Sequence, residues 1–247
     1  MNCPAEFESK TTAHPGWLIG GGALVVVLVS LLVFAALRYF LPSKEYEDVY
    51  VFVSQIALTL CLFLFIREIG INILAVMRDW WKNKTEHLRI VVKYCLFYFG
   101  LTAAVVGVLL AATLLLDKAG MISLSASMGA FKAATPDTMG SLKSIMVKSP
   151  PRFILSLLAM CVFAPIIEEV FFRRFLFVAL RKGMNFAPSL LISSVLFSLL
   201  HPSVIQGALG GLYLGYVYEK GKSLPANILI HSMVNIATIV VTLLIGK

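Results

Sequence analysis

The stretch RFILSLLAMCVFAPIIEEVFFRRFLFVALR, residues 152–181, decides the fold. As a helix it would be about 45 Å long at ~1.5 Å per residue, more than the ~30 Å hydrocarbon core of a bilayer. It reads as one long helix interrupted at Pro165, because proline removes a backbone donor and crowds the preceding turn. Its middle carries Glu168, Glu169, Arg173 and Arg174. A charge at the centre of a span costs roughly 2.5–3.5 kcal/mol on insertion scales. The segment is therefore either not in a membrane or is built around a polar site.

Composition decides between the two. Of 247 residues, 59% are hydrophobic and 14% charged, and the mean hydropathy is +0.89. Soluble domains run nearer 45–50% apolar and about 25% charged. Disorder, a soluble enzyme core and a nucleic-acid module are excluded, and the chain reads as a multi-pass membrane protein. The net charge of +8 then belongs to short loops facing anionic lipid, not to a nucleic-acid partner. The cysteines, Cys3, Cys61, Cys95 and Cys161, lie far apart with no C-x-x-C, so neither a disulfide framework nor a zinc knuckle is indicated.

Outward from the opening stretch, apolar runs recur. Residues 1–16 are polar. A first span is expected over about Trp17–Leu41, as a signal anchor rather than a removable peptide. A second runs from near Val49 to Ile66, and after Arg67-Glu68 the apolar run resumes to Met77, as a tilted or interfacial continuation. A basic loop at 78–93 holds Arg78, Lys82, Lys84, Arg89 and Lys93, with Trp80 and Trp81 suited to a headgroup belt. A third span covers roughly Ile90–Leu116. Residues 117–150 form the longest non-spanning stretch, a surface segment or a lid. Beyond residue 181 come Phe186–Leu200, Val204–Tyr218 and Leu224–Ile245, the first two too short to cross. The count is seven segments, or eight if a long one splits. The N-terminus, the 78–93 loop and the turns at 181–185 and 219–223 would share one basic face, expected to be cytoplasmic.

Polar chemistry in the last third is placed at few points. Glu168 and Glu169 point about 100° apart on a helix. Arg173 follows Glu169 by four residues, in the favoured acid-first order, so it can neutralise Glu169 and leave Glu168 free as a general base. A structural cluster of both acids with Arg173 and Arg174 is the alternative. His201 ends a run from Phe186 about 22 Å long, Glu168 lies about 20 Å from Arg181, and Asn235 about 16 Å past Leu224. His231 is one turn shallower. The break at His201-Pro202 would then sit at membrane depth, where irregular backbone must line a wet cavity. His231 and Asn235, at i,i+4, would face the carboxylate as donors to an oxyanion, or serve as interhelical hydrogen-bonding groups. Two His and one Glu also make a zinc site, although there is no His-Glu-x-x-His. No phosphate loop, Gly-x-Ser-x-Gly elbow or cysteine nucleophile setting occurs.

The ordered set Glu168-Glu169-x-x-x-Arg173, Phe197-x-x-x-His201 and His231-x-x-x-Asn235 resembles the CPBP family of CAAX proteases and bacteriocin-processing enzymes (also called Abi), which includes the type II CAAX prenyl endopeptidases. The resemblance covers roughly Arg152–Lys247. It implies a glutamate-dependent intramembrane endopeptidase with no metal and no cofactor. Carried over, Glu168 and His201 activate water, His231 and Asn235 stabilise the oxyanion, and Glu169, Arg173 and Phe197 support the site.

The expectation is an all-α polytopic transmembrane helix bundle with its active site within the bilayer. Residues 1–150 supply spans and a connecting segment, and 151–247 the catalytic helical core, together one integrated membrane domain. The expected partners are a peptide or protein substrate at the membrane and the lipid bilayer, with the plasma membrane as location. A non-proteolytic bacteriocin-immunity or partner-regulating protein on the same scaffold, and a proton-coupled transporter, are the competing readings.

Overall fold

A computed structural model describes residues 28, 32–33, 35–40, 47–65, 72–123, 125–126, 144–199, 201 and 203–245. Among these, every regular element is a helix. We label them α1 (Glu47–Phe65), α2 (Ile73–Lys82), α3 (Lys84–Lys118), α4 (Pro150–Gly183), α5 (Phe186–Ser198), α6 (Val204–Gly221) and α7 (Leu224–Ile245). Three of them, α3, α4 and the Leu224–Val241 part of α7, are long and apolar enough to cross a membrane. Their outward residues are apolar, Leu96, Val108 and Leu115 on α3 among them, as a helix bathed in lipid requires. The chain is an all-α membrane bundle. Most of the expected first span, Arg67-Glu68, Pro202 and most of the 117–150 stretch lie outside the described residues.

The basic stretch at 78–93 is helical rather than a loop. The Asn72 side chain caps α2 by accepting the Ala75 N–H at 3.1 Å. The chain bends at Asn83, whose N–H still reaches Asp79 O at 2.8 Å and whose carbonyl accepts from Glu86 at 3.0 Å. Lys, Arg and Glu are good helix formers, so charge density marked the membrane edge here and not the end of a helix.

Pro165 does not interrupt α4. The helix widens instead into π turns, over Ala159–Phe163 and again over Glu169–Phe177, a device that recurs at functional sites. The Ala164 N–H bonds the Ala159 carbonyl five residues back. Pro165 has no N–H to offer, so the Met160 carbonyl loses its helical donors at both i+4 and i+5.

α5 and α6 form a tight hairpin whose vertex carries His201. A Cβ on Gly207 would lie 2.8 Å from Ser198 Cα, and one on Gly211 would lie 2.9 Å from Ser194 Cα. Small residues at four-residue spacing let two helix backbones approach this closely in a membrane. Ser193 ties the hairpin to α4 by donating its hydroxyl to the Phe172 carbonyl at 3.3 Å. At the open end of the hairpin, Arg181 Nη2 meets Glu219 Oε1 at 3.1 Å, and His87 Nδ1 lies 3.0 Å from Ser223 Oγ. The 78–93 stretch and the turns at 181–185 and 219–223 thus share one face of the bundle.

Candidate active site

Three elements meet in the interior: the second half of α4, the vertex of the α5–α6 hairpin, and the first half of α7. Glu168 and Glu169 leave α4 in different directions and enter different environments. The Glu168 side chain keeps 24% of its surface and faces His201, which keeps 27%. Glu169 and Arg173 keep none. The accessible acid and the sealed acid are therefore adjacent in sequence and separate in space.

The sealed acid is gripped from three sides. Arg173 Nε lies 3.2 Å from Glu169 Oε2. His231 Nδ1 lies 2.9 Å from Glu169 Oε1. Asn227 donates its amide to Glu169 Oε2 and, at 3.2 Å, to the Leu214 carbonyl. The Arg173 guanidinium carbon sits 4.4 Å from the ring centre of Phe197. Phe197 is also 4.3 Å, centre to centre, from the His201 ring, so it wedges the buried cation apart from the histidine. A buried ion pair of this kind tolerates the loss of neither partner.

The hydrogen bonds at Nδ1 fix both imidazoles. His201 Nδ1 lies 2.9 Å from the Phe197 carbonyl, and a carbonyl only accepts, so this nitrogen carries the proton. His231 Nδ1 faces a carboxylate and carries its proton for the same reason. In each neutral ring the free lone pair is then at Nε2. Both Nε2 atoms turn to the same oxygen: Glu168 Oε2 is 3.8 Å from His201 and 3.7 Å from His231. These separations exceed a direct hydrogen bond and suit a bridging water. Glu168 Oε2 is buried and has no hydrogen-bond partner among the described residues. Three bases converging on one point need a proton donor between them.

Asn235 sits one turn along α7 from His231 and donates to the Met160 carbonyl at 2.8 Å, the group stranded by Pro165. Its amide has a second N–H. The structure thus brings Glu168, His201 and His231 together, sets Glu169, Arg173 and Phe197 directly behind them, and ties Asn235 to the π turn. Asn227 is the residue that sequence reasoning missed. Its signal was its spacing, since Asn227, His231 and Asn235 repeat at intervals of four on one face of α7. No cluster of three or more His, Cys, Asp or Glu side chains suited to hold a metal occurs among the described residues.

Residues 150–237 match the family model described as type II CAAX prenyl endopeptidase Rce1-like. The matched region contains α4, α5, α6, most of α7 and every residue of the site, and it agrees with the CPBP resemblance of the motifs. This part of the chain is similar to an Rce1-like domain of the CAAX-protease kind. No curated protein and no solved structure matches the chain.

Proposed function

We propose that this chain is a glutamate-dependent, metal-independent intramembrane endopeptidase that cleaves membrane-associated peptides or proteins, with its catalytic core in residues 151–247 and the plasma membrane as its location. The single observation that carries the reading is the convergence of Glu168 Oε2 with Nε2 of His201 and of His231, at 3.8 and 3.7 Å. A water held among these three atoms donates one proton to Glu168 or His201 as its oxygen attacks the scissile carbonyl carbon. The C=O bond opens to a tetrahedral oxyanion. Relayed to His231 Nε2, 3.7 Å from Glu168 Oε2, the proton taken from water makes this ring an imidazolium that meets the charge, balanced by the Glu169 carboxylate behind it. Asn235 contributes the amide N–H that Met160 leaves free. Collapse of the intermediate breaks the C–N bond, and the proton first taken from water goes to the departing amine.

The test compares the membrane peptides of cells carrying the wild-type chain with those of cells carrying Glu168→Gln, followed by assay of the purified full chain on a peptide so identified. General-base removal lowers turnover by ~10²–10⁴-fold. Glu168→Gln and His201→Ala are expected to lose that much with the helical signal in detergent intact, and chelators are expected to change nothing. Turnover by Glu168→Gln refutes the base assignment. Loss in EDTA with recovery on added zinc replaces the mechanism with a metal-dependent one.

A further inference from the structure

Helix α3 is too long for its span. Its uncharged run from Tyr94 to Leu116 already crosses the hydrocarbon, at about 34 Å by ~1.5 Å per residue. The turns from Lys84 to Lys93 therefore stand in the headgroup layer, beside the amphipathic α2, whose Leu74, Met77 and Trp81 are exposed on one side as in a helix lying along a membrane surface. At this level the structure holds a groove of about 580 Å³ lined by Thr85, Glu86, Arg89, Ile90 and Lys93. Glu86, Arg89 and Lys93 are spaced three and four residues apart, so they form one stripe along the helix. None of the three has an ion-pair partner among the described residues. Lys93 rests 5.2 Å from the Tyr94 ring centre.

The order of charges along the stripe matters more than their sum. Moving outward from the hydrocarbon, it runs Lys93, Arg89, Glu86, in steps of about 6 and 4.5 Å. A simple anion seat would not end in a carboxylate. A phospholipid whose phosphate lies at the hydrocarbon edge, and whose primary ammonium projects beyond it on a two-carbon tether, presents the complementary order. We propose that this groove is a binding site for an aminophospholipid of the phosphatidylethanolamine type. Arg89 and Lys93 take the phosphate oxygens, Glu86 accepts N–H from the ammonium, and the acyl chains run down the exposed apolar face of α3. The site lies at the membrane surface, and its test does not depend on the proteolytic reading.

The experiment reconstitutes the full chain in nanodiscs containing equal parts phosphatidylethanolamine, phosphatidylglycerol and phosphatidylcholine. The lipids retained on the protein after detergent washing are counted by native mass spectrometry. Phosphatidylglycerol keeps the phosphate without an amine, and phosphatidylcholine keeps the charge without an N–H. Phosphatidylethanolamine is expected to lead both by about fivefold, the worth of one interfacial charge contact. Glu86→Gln should erase that lead while retaining phosphatidylglycerol. Arg89→Gln and Lys93→Gln should each lower retention of phosphatidylethanolamine by a similar factor, and Lys118→Gln at the far end of α3 should leave it unchanged. These side chains are exposed, so the fold does not depend on them. Phosphatidylglycerol retained as well as or better than phosphatidylethanolamine, or a Glu86→Gln variant with its preference unaltered, overturns the proposal.

Discussion

Helices α3 and α4 are near twins in length, at 35 and 34 residues, and both are apolar enough to cross a membrane. None of the most apolar stretch of α3 is buried in the protein, against 39% of that of α4. Between Lys93 and Asp117, α3 carries no charge, and its Thr113 hydroxyl turns back onto the Leu109 carbonyl at 2.7 Å. α4 carries Glu168, Glu169, Arg173 and Arg174 at the equivalent depth, and its backbone is widened to aim them. Hydropathy therefore chooses the solvent, while a few placed polar groups and one proline choose the role. Lipid already satisfies the surface of α3, whereas α4 needs α5, α6 and α7 around it.

If that contrast holds, its largest consequence falls on Arg173. Arg173→Met leaves Glu169 as a sealed, uncompensated charge, and loss of one partner of a buried pair costs ~3–5 kcal/mol. Thermal unfolding in detergent should show a deep fall, and the double variant Glu169→Gln/Arg173→Met should recover much of it. A lipid-facing change on α3, Val108→Ala, should stay within about 0.5 kcal/mol. A double variant no more stable than Arg173→Met alone would break the comparison.

Asn227 sharpens it at a smaller scale. Asn227→Ala removes one of the three grips on Glu169 and strands buried acceptors, at ~1–3 kcal/mol. It should also lower turnover with little change in KM, because Glu169 is what orients His231. Thr113→Ala on α3 deletes an exposed hydroxyl and should alter neither stability nor turnover. Equal effects from the two changes would place Asn227 outside the positioning network.

Glycines offer a third contrast. Gly107 of α3 has open space where a Cβ would go, so Gly107→Ala should stabilise by roughly 0.5–1 kcal/mol through backbone entropy. Gly211 of α6 lies against Ser194 backbone, and overfilling such a contact costs ~1–3 kcal/mol. Gly211→Ala should also displace the hairpin vertex and cut activity through His201. Parallel melting curves and peptide-cleavage assays on the two variants check both signs.

The same contrast explains what the sequence made legible. Glu168 and His201 could be placed at comparable depth, with Asn235 and then His231 shallower, by counting rises from the helix ends. The expected run Val204–Tyr218 is longer as α6, 18 residues to Gly221, and neither α5 nor α6 is among the described helices long and apolar enough to cross. Pro165 misled, because a break was expected where the helix widens, and a π turn has no signature beyond the proline itself. The role of Asn235 at Met160 follows only once that stranded carbonyl is seen. The 78–93 stretch was read as a loop because charge and helix propensity point in different directions for Lys, Arg and Glu. Most of the chain from residue 17 to 41 and most of 117–150 lie outside the described residues, and the readings made there stand as expectations.

The smallest effect belongs to the membrane-surface ion cluster that closes the hairpin, and it separates surface electrostatics from the buried kind. Burial pushes the Glu219 carboxyl up, but hydrogen bonds from Arg181 and Lys222 outweigh it and hold the group below the usual carboxylate range. Lys222 Nζ approaches Glu219 Oε2 to 2.9 Å, and Arg181 Nη2 approaches Oε1 to 3.1 Å. A carboxyl depressed on folding adds stability that is present above its unfolded value, about 4.3, and is lost as the pH falls through the lower folded value. Partly exposed pairs contribute ~0–1 kcal/mol. Glu219→Gln should therefore lower stability by no more than that at pH 7, and the gap to wild type should close on acidification below about pH 4. Thermal melts across pH 3–7 in the same detergent measure it. A gap that persists at the acid end would mean that the Glu219 side chain acts through packing, and that the face closing the hairpin is held together as the interior is, by shape rather than charge.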